Sequence, residues 1–87
     1  MGRNFKQEEL ERHQIKLEMS IGYRGYLLKE IDELTIKLNL MKTLDLVPEI
    51  DCKLEEYVLN EKKKHLKELD FDIKFEKAFI KAYKETF

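Results

Sequence analysis

The sequence predicts an all-α fold, a helical hairpin or small three-helix bundle with a long kinked first helix, and three observations lead there. Between Tyr26 and Phe87 there is one proline, Pro48, and no glycine. Leucine and isoleucine recur at helical spacing on both sides of that proline. Lysine, glutamate and leucine, all good helix formers, fill most of the stretch. Proline ends one helix but suits the first turn of the next, so the chain should fold back at Pro48.

The elements follow in order. Asn4 is placed to cap a helix beginning at Phe5, with Gln7 completing a capping-box spacing and Glu8 and Glu9 near the positive helix end. Leu10, Leu17 and Ile21 lie close to one face. Yet Ile15, Leu17, Met19, Ile21 and Tyr23 also alternate with polar or small residues, which is a strand pattern, so the alternative fold is α+β with a strand at 15–23. Gly22 and Gly25 each cost a helix about 1 kcal/mol relative to alanine and predict a kink or break.

Beyond them, Leu27, Ile31, Leu34, Leu38 and Met41 are spaced four, three, four and three, the seam of a coiled coil. Leu28, Ile36, Leu40 and Leu44 widen that stripe past what one antiparallel neighbour would cover. Self-association is the expectation, with Leu27, Leu28, Ile31, Leu34, Leu38 and Met41 as its residues.

Asp45 to Pro48 is the predicted turn, because a residue preceding proline is pushed out of the helical region. Glu49 and Asp51 then place negative charge at the start of a second helix. That helix is expected to reach about Leu69, with Ile50, Leu54, Tyr57, Val58 and Leu69 inward and Leu59 and Leu66 on a flanking line. Asp70 or Asp72 would cap a short third helix carrying Phe75, Phe79, Ile80 and Tyr83 on one side. With no internal repeat, low-complexity tract or linker, residues 1–87 read as a single domain.

Composition narrows the class further. A chain of 87 residues buries a small fraction of its surface and often needs a staple. Cys52 is the only cysteine and no Cys/His cluster suggests structural zinc, which leaves oligomerisation. The 17 basic and 18 acidic residues interleave, so neither nucleic acid nor a charged membrane is demanded. No apolar run approaches membrane-spanning length and Met1–Leu10 is polar, unlike a secretory signal, so the expected location is the cytoplasm. Abundant Lys, Glu and Ile beside only two alanines, Ala78 and Ala82, point to AT-rich coding, as in a low-GC bacterium or its phage.

Candidate chemistry is sparse. Glu9 with His13 and Glu61 with His65 are one turn apart and could form two halves of a metal site, but such pairs more commonly occupy a solvated face, and no metal or cofactor is expected. Cys52 has Asp51, Glu55 and Glu56 nearby, which disfavours a thiolate, and Ser20 has no histidine near it in sequence. Gly22-Tyr-Arg-Gly25 lacks the lysine of a phosphate-binding loop. Catalysis is therefore not expected.

Two features remain as binding candidates. Tyr23, Arg24 and Tyr26 beside two glycines are of the types enriched at interface hot spots. Lys62, Lys63, Lys64 and Lys67 form the one concentrated basic run, which a helix could lay along a phosphate backbone but would also fan around its circumference. The expectation is a small non-enzymatic, protein-binding regulatory or accessory factor, an adaptor or inhibitor acting by occlusion through helical surfaces. The alternative is a nucleic-acid-binding regulator using Lys62–Lys67.

Overall fold

The computed structural model describes residues 5–45 and 47–86. They form two antiparallel helices, α1 (Phe5–Leu44) and α2 (Glu49–Thr86). The molecule is a rod of 68 × 19 × 15 Å. At a rise of about 1.5 Å per residue each helix runs almost its full length.

The reversal lies where Pro48 places it. Asp45 takes a left-handed conformation with φ 54°, closing α1 as a residue whose short polar side chain tolerates that region. The Pro48 carbonyl then accepts from the amides of Asp51 (3.0 Å) and Cys52 (3.3 Å), opening α2. Lys42 in the last turn of α1 and Glu49 and Asp51 in the first turn of α2 complement the helix dipoles. The predicted cap Asn4 lies outside the described residues.

Three expectations are corrected. Residues 15–23 are helix and not strand, because a lone strand would leave its backbone groups without partners while a helix pairs them locally. α1 passes Gly22 and Gly25 without a break, since α2 lies alongside and packing outweighs the propensity cost of two glycines. Among the described residues there is no separate third helix. α2 is continuous through Asp70 and Asp72, and the Asp70 carboxylate accepts from Arg24 of α1 instead of capping a new helix start.

A pair of seams explains the packing. On α1, the positions Leu10, His13, Leu17, Ser20, Arg24, Leu27, Ile31, Leu34, Leu38 and Met41 alternate steps of three and four residues. Cys52, Glu55, Leu59, Lys62, Leu66, Leu69, Ile73, Glu76, Ile80 and Tyr83 do the same on α2. The buried cluster, Leu27, Ile31, Leu38, Leu59, Leu69 and Ile73, falls wholly on these two rows, with Leu17, Leu34, Cys52 and Leu66 against it. Of the residues expected inward on α2, Leu69 is buried and the other four are not. Leu59 and Leu66 belong to the seam, while Ile50, Leu54, Tyr57 and Val58 are exposed. Their own three-and-four spacing imitates a core, and Glu55, Lys62 and Glu76 interrupt the real one.

Candidate functional site

Polar residues inside the seam come first, because they decide which side chains remain free for other work. Glu76 is the one buried charged residue among those described, with 3% of its surface accessible. His13 Nδ1 donates to its Oε2 at 2.6 Å and Lys16 Nζ reaches Oε1 at 3.2 Å. Burial pushes the Glu76 carboxyl up, yet the bonds from His13 and Lys16 together hold it below the usual carboxylate range. Further along, Lys62 donates to Glu30, Lys37 to Glu55, and Lys42 pairs with Glu56. The bond from Lys62 holds the Glu30 carboxyl down, and the same bond raises the Lys62 ammonium.

The Tyr23–Arg24–Tyr26 group is divided by this geometry. Arg24 occupies a seam position and its Nε donates to Asp70 at 2.5 Å. Tyr23 sits at the edge of the inter-helix groove, its ring 5.5 Å from that of His65. Tyr26 points outward, and its hydroxyl is bonded to Glu30, which raises the phenol above its ordinary value. The two tyrosines are therefore presented to solvent while Arg24 helps join the helices.

The other candidates are distributed as follows. Leu27, Ile31 and Leu38 are buried against α2, and Leu28, Leu34 and Met41 are half-buried. Of the basic run, Lys62 turns in to Glu30 while Lys63, Lys64 and Lys67 are exposed on one side of α2, spaced three and four residues apart. His13 and Glu9 do not form a half-site: His13 goes to Glu76 and Phe79, and Glu9 pairs with Arg12. No group of three His, Cys, Asp or Glu side chains among the described residues is arranged to hold a metal ion. Cys52 is a half-buried thiol within the seam. No helix among the described residues is long and apolar enough to cross a membrane.

What stays exposed among the described residues includes a second row on the outward side of each helix. On α1 it runs Ile15, Met19, Gly22, Tyr26, Lys29, Glu33, Ile36, Leu40. On α2 it runs Ile50, Leu54, Tyr57, Glu61, Lys64, Glu68, Phe71, Phe75, Ala78, Ala82. Both rows repeat steps of four and three, and all their residues are exposed, Met19 at 70% and Phe71 at 69%. Each has apolar ends around a charged centre. The wide stripe in α1 already signalled the first row. Phe71 and Phe75 were obscured by the expected third helix, though tracing the seven-residue period past Asp70 would have found them. Compared with protein-family models, with curated proteins and with solved structures, the chain has no match.

Proposed function

We propose that this hairpin is a small, non-enzymatic protein-binding factor of the cytoplasm, an adaptor or inhibitor that acts by laying a helical face over a partner and occluding it. The observation that carries the reading is the outward row of α1, apolar at Ile15, Met19, Tyr26, Ile36 and Leu40 and covered by nothing in the chain. Helix faces of this kind bind by presenting anchors at i, i+4 and i+7 spacing to an apolar groove. Tyr26 and Tyr23 would supply aromatic anchors, and Lys29 and Glu33 would set specificity by complementary charge. Arg24 supports the site from behind through Asp70.

A photo-crosslinking residue placed at Tyr26, at Leu40 and, as control, at Asp32 tests this in cells of the source. The reading expects an adduct with a different protein from Tyr26 and Leu40, of one common mass, and none from Asp32. No adduct from any position, or equal adducts from all three, overturns it. The nucleic-acid reading has less support, because Lys62 is engaged with Glu30 and the exposed lysines of the run have Glu61 and Glu68 beside them. A low-salt electrophoretic shift is its test.

A further inference from the structure

We infer that a second copy of this chain packs antiparallel on the outward row of α2, about a two-fold axis level with Leu66. The inference relies on the reading above only in assigning outward faces to protein contacts, and it concerns the opposite helix. Two independent features support it.

The first is the area available. The chain exposes 7007 Å². A compact monomer of 10.6 kDa would expose about 5,500 Å². The excess, roughly 1,500 Å², exceeds the roughly 800 Å² that each partner contributes to a standard interface. One helix face can therefore be covered by a second copy while the other stays available.

The second is self-complementarity. A two-fold axis requires a patch to match its own reversed image. In an antiparallel pair, the apolar segment Ile50–Tyr57 of one copy meets Phe75–Ala82 of the other, the larger side chains of one end against a ring and alanines. Lys64 of each copy then falls beside Glu68 of its partner. A parallel pair would instead stack Glu61 on Glu61, Lys64 on Lys64 and Glu68 on Glu68, which repels at every charged layer. α1 is the poorer candidate for this contact, because Gly22 leaves a gap in its row.

Sedimentation equilibrium on the full chain tests the inference. The wild type is expected to reach a dimer at micromolar concentration. Phe71→Glu with Phe75→Glu should weaken self-association by about tenfold or more with helicity by circular dichroism unchanged, since both rings lie outside the hairpin core. Lys64→Glu alone and Glu61→Lys with Glu68→Lys alone should each dimerise poorly, and an equimolar mixture of the two should recover a heterodimer. A wild type that stays monomeric, a dimer indifferent to the phenylalanine changes, or a mixture that does not recover overturns it. A monomeric chain that still gives the Tyr26 adduct removes this dimer and leaves the protein-binding reading intact. A dimer with no such adduct supports this contact and removes the other.

Discussion

The contact between His13 and Glu76 should give opposite signs when its two partners are changed. Glu76 is buried, whereas the His13 and Lys16 side chains are 23% and 66% accessible. Desolvation therefore falls on the carboxylate, and its partners can still reach water. Replacing Glu76 by leucine puts an apolar side chain into a seam position flanked by Ile73 and Ile80. Burying that side chain contributes about 1.5–3 kcal/mol, and the desolvation of the carboxylate is removed. Against this stand two charge-assisted hydrogen bonds, each about 1.5–3 kcal/mol. Exchanging every partner of a buried ion pair for hydrocarbon comes out neutral to about 4 kcal/mol more stable; here the remaining partners can reach water, so Glu76→Leu should fall between neutral and about 2 kcal/mol more stable.

His13→Ala works the other way. It leaves the buried carboxylate with only Lys16 and removes the ring packed on Phe79 at 4.1 Å, so a loss of about 2–3 kcal/mol is expected. The depressed pKa of Glu76 does not conflict with the first prediction. It compares carboxylate with carboxylic acid, while the leucine variant compares carboxylate with hydrocarbon. Urea unfolding followed by circular dichroism at neutral pH, at one fixed chain concentration, reads both changes. Each kcal/mol should also move the melting temperature by about 4–8 °C. If Glu76→Leu destabilises as much as His13→Ala, the buried pair is a net stabiliser and the reasoning fails.

Three further outcomes are expected. The carboxyls of Glu76 and Glu30 are held below their ordinary value of 4.5, so the stability they contribute is complete above that pH and is lost as the pH falls through the lower folded values. Acid melting curves should show this loss, and the Glu76→Leu variant should lose less. Gly22→Ala and Gly25→Ala should each stabilise by about 1 kcal/mol in thermal unfolding, because a Cβ at either position meets nothing within 4 Å. Leu27→Ala should cost about 2–4 kcal/mol, and Ile36→Ala, at a site 62% exposed, less than about 0.5 kcal/mol. A loss at Ile36 comparable to that at Leu27 would mean that the seam is misassigned.

The hairpin and its turn were legible because Pro48 is the one strong breaker in a long run of helix formers. The seam was legible only from Leu27 to Met41, where its positions are all apolar. On either side of that stretch it continues through His13, Ser20 and Arg24 on α1 and through Glu55, Lys62 and Glu76 on α2, types that a hydrophobic pattern discards. Once those positions were discarded, Ile50, Leu54 and Tyr57 offered the better apparent core. Asp70 resembled a cap for a related reason. An aspartate's role depends on where the nearest cation lies, and Arg24 is far away in sequence. The exposed tyrosines of the 23–26 group were within reach of sequence reasoning. The engagement of Arg24 was not, because it depends on the register of the two helices.

That register gives the charged seam a physical purpose. Two apolar heptad helices could slide past each other by one repeat and bury nearly the same area. Here Lys37 meets Glu55 and Glu30 meets Lys62, one heptad apart along the rod. A slip of seven residues in one direction puts Lys62 beside Lys37, and a slip in the other puts Glu55 beside Glu30. Arg24 is guarded in the same way: the positions seven residues either side of its partner Asp70 are Lys63 and Lys77. Both wrong alignments thus set like charges together at two or more levels, while the native one pairs every level. Stability lost to polar groups in the core is offset by specificity of alignment. A one-heptad slip would keep the same residues outward but change which residues of the two helices lie level, so the same charges that thin the core also fix the place of Tyr26 on α1 relative to Phe71 on α2.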